Sequence, residues 1–503
     1  MKKLDILIAG SGIAGLFFAI KTAAKNPDLS IMIMTKGRAE NANTYYAQGG
    51  IAVVTDLIND SFEAHVQDTL QSGGGYCDEK IVNMVVRQAP ERVKELIALG
   101  TTFDKNKTGN LDLGLEGGHS QNRIVHHKDI SGLEIEMKLI QKIMELPNVT
   151  LLENHFLIDI TTEEENGKKQ CSGAFYFDKT SGRIKYLRTK TIVLSTGGSG
   201  QVFQNTTNPE VATGDGVAIA YRAGATIEDM QYIQFHPTAL YEKNKNPFFL
   251  ISEAVRGFGA HIVNEKGERF IFKYDIRGEL ATRDIVSQAI AKEMQESNKK
   301  HVYLDCRHLD TTEFIKHFPS ITNYCNNVGL HAEKELLPIV PVAHYQCGGI
   351  KVNEHAETSI KNLFAIGECA KTGLHGKNRL ASNSLLEALV FAHQACEHIS
   401  KTIYDISFFP IFFVPKYIET NCSGNVDVFN SLKTELQQKM SELYSFGGIT
   451  ESSLLADFEM LKYEADQLIE KEKISTQLIE LTNLFTVASI IIEHNKSTVL
   501  LNT

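Results

Sequence analysis

No two cysteines in this chain lie close enough in sequence to grip a metal. Its 503 residues include eight, Cys77, Cys171, Cys306, Cys325, Cys347, Cys369, Cys396 and Cys422, and none forms C-x-x-C. Isolated thiols suit a reducing compartment, so neither disulfides nor an iron–sulfur cluster is expected. Positive charge is also short: the formal net charge is −10, which argues against a nucleic-acid surface, although an anionic substrate needs only a few arginines. No long hydrophobic run is present. The apolar run near the C-terminus, Leu484 to Ile492, is far too short to span a bilayer. Met1-Lys2-Lys3 before an apolar stretch imitates a signal peptide, but Asp5 and a set of glycines interrupt it. Internal repeats and low-complexity segments are absent. A cytoplasmic protein with no membrane or nucleic-acid partner is expected. With 43% apolar and 22% charged residues it has an ordinary globular composition, and its length suggests about two to four domains.

The feature that organises the rest comes first. Leu4–Ala9 reads as a buried strand, Gly10-Ser11-Gly12-Ile13-Ala14-Gly15 as a tight turn, and Leu16–Ile20 as the opening of a helix. G-x-G-x-x-G between a strand and a helix is the dinucleotide-binding fingerprint. Gly10 permits the turn, Gly12 lets a pyrophosphate approach the backbone, and Gly15 lets the helix pack on the strand. The free N–H groups at the helix start offer the phosphate donors and partial positive charge. Ser30–Met34 supplies the second strand. About twenty residues beyond the fingerprint an Asp or Glu normally takes a ribose hydroxyl. Thr35 and Lys36 stand there instead, which counts against a plain NAD site and places a lysine near the dinucleotide phosphates.

Asn43-Thr44-Tyr45-Tyr46-Ala47-Gln48-Gly49-Gly50 follows, with a glycine pair suited to backbone beside a ligand. This segment resembles the flavin-contacting loop of the succinate dehydrogenase, fumarate reductase and L-aspartate oxidase flavoproteins, and its Tyr-Ala-Gln-Gly-Gly-Ile-Ala form is similar to the oxidase branch in particular. Respiratory members bond FAD covalently through a histidine in this loop. The corresponding residue is Asn43, whose amide cannot form that bond, so the resemblance implies FAD held non-covalently. Two further stretches are similar to flavin-fold signatures: Thr191–Gly198, a strand entering a glycine turn, and Asn362–Glu368, whose terminal Glu368 the resemblance puts near the ribityl chain. It likewise puts Asp215, ahead of the helix Val217–Arg222, beside FAD. Ser384 and Glu387 read as a capping box, which starts a helix at Ser384-Leu385 with its positive end able to stabilise negative charge on the reduced flavin.

The intervening pattern is helical from Ile81 to Leu99, with Gly100 as its stop, and strand-rich from Val149 to Leu194 with a polar hairpin near Glu163–Lys169. The expected fold class is α/β. It comprises a Rossmann-like FAD-binding domain (residues 1–229 and 346–411), an inserted α+β capping domain (230–345) and a C-terminal helical domain (412–503). Phe429–Ile492 is helical in pattern, with a break at Phe446-Gly447-Gly448. The tail from His494 lacks the arginine-rich ending of L-aspartate oxidases.

Taken singly, the polar candidates have ordinary structural readings; in order along the chain, they fit one family. Glu116, in Leu115-Glu116-Gly117-Gly118-His119-Ser120, would by itself be a solvated carboxylate on a mobile loop. The resemblance makes it the glutamate facing a substrate amine, and leaves His119, His126 and His127 structural or on the surface. Gln234, His236, Ser252, Arg283, His344 and Arg379 form a cationic or neutral set that suits a small dicarboxylate. Arg379 is the carboxylate anchor, since a guanidinium gives a carboxylate two parallel hydrogen bonds. His236, His344 and Ser252, the last standing where the oxidases carry threonine, would hold the second carboxylate. Arg283 resembles the family's proton-transferring arginine. With a pKa above about 12 an arginine is a poor base, and Glu253 and Arg256, at i and i+3, match the family's Glu–Arg relay.

The resemblance therefore implies FAD-dependent oxidation of L-aspartate to iminoaspartate. Oxygen would reoxidise the flavin to give H2O2, or fumarate would replace it. This is the first step of quinolinate and NAD biosynthesis, with quinolinate synthase as a transient partner. The alternative is a soluble fumarate reductase or a succinate dehydrogenase flavoprotein subunit, which has no use for Glu116 and works with a partner carrying metal clusters. Both readings require Arg283, His344 and Arg379 to converge.

Overall fold

A strand that is apolar on both faces is buried on both, as in parallel sheets covered by helices. Leu4, Ile6, Leu7, Ile8 and Ala9 are at most 2% exposed, and their strand, Lys3–Ala9, is central. The computed structural model describes residues 3–165, 167–243, 245–409, 426–443, 452–471 and 474–501. Within it a seven-stranded sheet runs in the order Val149–Leu152, Ile31–Met34, Lys3–Ala9, Arg183–Leu194, Lys168–Asp178, His155–Glu165. The seventh strand, Leu363–Ala365, pairs in parallel with the second half of Arg183–Leu194, whose first half carries Lys168–Asp178 in antiparallel. The strands around Lys3–Ala9 are parallel, with Ile8 opposite Ile33 on one side and Val193 on the other. Four of them end at Ala9, Met34, Leu194 and Ala365 and run into Gly10, Thr35, Ser195 and Ile366. In open α/β sheets ligands bind beyond such carboxyl ends. The helix Ile13–Lys25 follows the first strand and packs against the long helix Asn383–Thr402.

Residues 233–346 build a separate four-stranded antiparallel sheet, in the order Ile233–Leu240, Leu337–Gln346, Val302–Asp305, His261–Val263. It covers its own apolar cluster, with Ile251, Val255, Ile262, Phe270, Leu304, Ile321 and Ile339 inside. Among the described residues, the helices Val426–Leu443, Ser452–Lys471 and Thr476–Leu501 form no apolar cluster of their own. Phe429, Leu436, Phe458, Phe485 and Ile491 belong to the same cluster as the large sheet. The break expected at Phe446-Gly447-Gly448 lies outside the described residues, as does Cys422. The apolar Leu484–Ile492 run is inside the last helix and buried.

Three local expectations are revised. The helix expected from Ser384 begins at Asn383, after Ser382 in the left-handed region (φ +59°), and no capping box forms. Glu387 instead turns inward, where it accepts hydrogen bonds from Tyr345 Oη (3.0 Å) and Thr372 Oγ1 (2.5 Å) and meets His375 Nε2 at 2.9 Å. A buried carboxylate with three partners is worth more there than as a cap. The helix expected from Val217 starts at Asp215, because Gly214 takes the left-handed turn (φ +72°) ahead of it. The helix ahead of Gly100 starts at Glu79, capped by the Asp78 carboxylate, and ends at Ala98.

Among the described residues the seven cysteines are free, and no group of His, Cys, Asp and Glu is arranged to hold a metal ion. No described helix is long and apolar enough to cross a membrane.

Candidate active site

One cavity of about 660 Å³ opens at the carboxyl ends of the parallel strands and reaches the second sheet, a size in the range of cofactor sites. Its dinucleotide half is built by the fingerprint. A Cβ on Gly10, held at φ +109°, would collide with the Ser195 carbonyl, while one on Gly15 would collide with the Gly10 carbonyl. These two glycines serve turn and packing. A Cβ on Gly12 would meet only side chains, Thr44 Oγ1 at 3.2 Å and Ala42 Cβ at 3.7 Å, so Gly12 presents open backbone to the cavity. The helix behind it has no acidic residue in its first turn. Its Ile13 N–H donates to Thr44 Oγ1 at 3.0 Å. A helix start without an acidic residue, beside a cavity, suits a pyrophosphate.

Ser11, Ile13, Ala14, Lys36, Asn43, Thr44, Tyr46, Ala47, Gln48, Gly49, Gly50, Asp215, Glu368, Ser384 and Leu385 also line the cavity. Tyr45 does not: its half-buried ring stacks edge-on against Tyr46. Asn43 Nδ2 donates to Glu368 Oε2 at 2.9 Å, and Gln346 N donates to the other oxygen at 3.2 Å. Burial pushes the Glu368 carboxyl up to about 7 despite these donors. The residues present fit FAD. Lys36 is not a free phosphate ligand, however. Its ammonium is taken by Asp215 (2.9 Å), Glu480 (2.7 Å) and Thr213 Oγ1 (2.6 Å).

The other half of the cavity carries the polar set. Glu116, His236, Ser252, Glu253, Arg283, His344 and Arg379 all line it. Arg283 Nε donates to Glu253 Oε2 at 2.6 Å, and Glu253 Oε1 accepts from Arg256 Nη2 at 2.6 Å. Ser252 caps the short helix Glu253–Gly257 that sets Glu253 and Arg256 one turn apart. Glu116 is 3% exposed, not solvated, and accepts from Ser382 Oγ at 2.6 Å. Its loop is pinned, since a Cβ on Gly117 would collide with Glu253 Oε1. The His236 and His344 rings lie 5.0 Å apart. His236 Nδ1 accepts from Thr238 N at 3.2 Å, so its proton sits on Nε2, which is buried without a partner. Arg379 lies 4.2 Å over the Tyr345 ring, donates from Nη1 to Ser384 Oγ at 2.9 Å, and leaves Nε unpaired. His236 and Arg379 both line the cavity, and groups of this kind suit a ligand that offers hydrogen-bond acceptors.

Electrostatics divide these groups. Burial, reinforced by the charge of Arg283, holds His236 and His344 well below the usual imidazole value, so both are neutral at neutral pH. Burial and Arg283 bring Arg379 down to about 10. Burial and the neighbouring Glu253 raise Glu116. Burial would raise Glu253 too, but the charges of Arg256 and Arg283 hold it below the ordinary carboxylate value.

Two predicted residues stand one layer back. Arg256 is fully buried, with Nη1 on the Glu279 carbonyl at 2.5 Å. Gln234 accepts from Arg283 Nη1 at 3.0 Å and donates to Asn378 Oδ1 and the Arg379 carbonyl, so it ties Arg283 to the loop bearing Arg379. His119 is half-buried, between the Ala381 carbonyl and Arg123, and His126 and His127 lie beside Asp104. Sequence reasoning missed Ser382 and Thr207, whose hydroxyl is 2.7 Å from His344 Nδ1. It also missed Tyr345. Ser382 and Tyr345 are neighbours of quoted motif residues and were within reach of that signal, whereas Thr207 carries none.

The FAD binding domain family matches residues 5–385. The L-aspartate oxidase of Vibrio cholerae is 38% identical over 500 residues, covering 97% of this chain and 92% of its own. The chloroplastic L-aspartate oxidase of Arabidopsis thaliana is 37% identical over 516 residues, covering 98% and 79%. Among solved structures, an E. coli quinol fumarate reductase superposes with a TM-score of 0.85 at 28% identity, covering 99% of this chain and 89% of that one. A shared fold with the reductases and much greater sequence likeness to the oxidases, on top of a fingerprint-built cavity lined by Arg283, Arg379 and two neutral histidines, lead to one conclusion: the chain belongs to the L-aspartate oxidase family of FAD-binding flavoproteins.

Proposed function

We propose that this protein oxidises L-aspartate to iminoaspartate using FAD held non-covalently, with oxygen as acceptor giving H2O2, or with fumarate in its place. The observation that carries the reading is the position of Glu116: a buried carboxylate on the same cavity wall as Arg283, Arg379, His236 and His344. A plain dicarboxylate has no use for a buried anion, whereas an amino dicarboxylate brings the ammonium that neutralises it. Binding aspartate then lowers the cost of ionising Glu116, which burial otherwise raises.

The division of labour follows from the contacts. Arg379 takes one carboxylate, and the charge-assisted pair holds it in one orientation. His236, whose neutral ring lines the cavity, and His344, oriented by Thr207, serve the second without adding charge. Arg283 faces the reacting carbon with Glu253 behind it. A guanidinium gives up a proton only when a carboxylate relays it, and Glu253 between Arg283 and Arg256 is placed to do so. Bound FAD supplies the two-electron acceptor. Two electrons and two protons leave the substrate, which accounts for reduction of O2 to H2O2 or of fumarate to succinate. The unstable imine is the substrate of quinolinate synthesis, which makes quinolinate synthase a transient partner. Residues 230–345 act as a capping domain on the flavin fold.

Anaerobic titration with L-aspartate tests this. Bleaching of the yellow protein by aspartate, and peroxide on admitting oxygen without any partner protein, is the expected result. A protein that reduces fumarate from an artificial donor and ignores aspartate is a fumarate reductase or succinate dehydrogenase subunit instead.

A further inference from the structure

The dinucleotide half of the cavity is backed by a helix from the far end of the chain. Lys36 occupies the place where dinucleotide folds carry the acidic ribose ligand, and its ammonium bridges Asp215 Oδ2 and Glu480 Oε1 at 2.9 and 2.7 Å. Glu480 belongs to the last helix, Thr476–Leu501. Asn483, fully buried on the next turn, donates from Nδ2 to Asp215 Oδ1 at 2.9 Å and accepts from Arg222 Nη1 at 2.9 Å. One turn further, Val487 presses on Gly214, where an added Cβ would fall 2.7 Å from Val487 Cγ2. Residues 480, 483 and 487 share one helix face, and that face meets the turn Thr213-Gly214-Asp215. Lys36 and Asp215 line the cavity, while Glu480 and Asn483 stand behind them. One ammonium between two carboxylates leaves a net negative site, which suits hydroxyl donors and repels phosphate. The helix start beyond Gly12 is the part of the cavity that suits phosphates.

We propose that the last helix is a working part of the dinucleotide site: Glu480 and Asn483 are positioning residues that hold Asp215, through Lys36 and directly, as the carboxylate accepting from the adenosine ribose of FAD. The preference for FAD over FMN, which lacks that ribose, then depends on two residues more than four hundred positions from the fingerprint. This rests on the FAD reading above. The test is calorimetric titration of the apoprotein with FAD and, separately, with FMN. Asn483→Asp keeps the volume and an acceptor for Arg222 but sets a carboxylate against Asp215 in place of its donor, and the FMN titration reads whether the fold around the flavin is kept. FAD affinity is expected to fall about tenfold or more, with FMN affinity unchanged. Glu480→Gln, at a half-buried site that tolerates substitution, should shift FAD affinity in the same direction and by less. FAD affinities equal to that of the parent protein in both variants, or FAD and FMN affinities falling together, overturn the proposal. A parent protein that takes up no FAD overturns the earlier reading instead.

Discussion

Arg283 Nε donates to Glu253 Oε2 across 2.6 Å, from the start of one helix to the start of another, and neither group is open to solvent beyond the cavity. Because Arg256 takes the second oxygen of Glu253 at 2.6 Å, one buried carboxylate serves two guanidinium groups. Glu253→Gln leaves two buried cations facing a neutral amide. It is expected to cost about 3–5 kcal/mol of stability and to lower turnover roughly a hundredfold or more. A thermal melt and a steady-state assay read the two effects. Turnover at the parent level would remove Glu253 from proton transfer.

Glu116→Gln keeps the Ser382 contact and loses only the charge. KM for aspartate should rise roughly tenfold or more, the usual scale for a hydrogen bond to a charged group. Fumarate reduction driven by an artificial donor should hold steady. Equal losses in the two assays would reject the amine-facing role.

Asn43 spends its amide on Glu368 and offers no nucleophile to the cofactor. Denaturing the holoprotein in acid should release all of its flavin into the supernatant, and no flavin fluorescence should remain on the chain after digestion. Fluorescent peptide would refute non-covalent binding.

Glu136, on the helix Ser131–Met144, is fully buried. Burial raises its carboxyl well above the ordinary value, with only the Thr44 hydroxyl acting against it. The folded state therefore holds a proton that the unfolded chain has shed, and stability declines as pH climbs from the unfolded value near 4.3 toward the folded one. Glu136→Gln replaces the acid with a neutral group of the same shape. The variant should match the parent at pH 4 and melt at a higher temperature at pH 8. A gain independent of pH would mean that this carboxyl does not titrate in that range.

Much of the fold was legible because its signals are local. Ile6–Ala9 is apolar on both faces, Gly10 needs φ +109°, and helix patterns need no partner to be read. Much of the site was legible for a different reason: Glu116, His236, Arg283, His344 and Arg379 resemble one family's motifs in sequence order, and the structure gathers them on one cavity. The capping box failed although its pattern was present, since spacing cannot say that Tyr345, Thr372 and His375 compete for Glu387.

By itself the sequence determined the strand–glycine–helix start, the α/β class and the residue types available for a dicarboxylate. Backbone conformation, periodicity and motif order are properties of neighbouring residues. Only the tertiary structure decided which charges neutralise which. Lys36 was left pointing at phosphates by its position and is instead taken by Asp215 and Glu480, while Ser382 reaches Glu116 across 266 residues of chain. Ion pairing and desolvation act through a few ångströms of space, and no spacing along the chain encodes them.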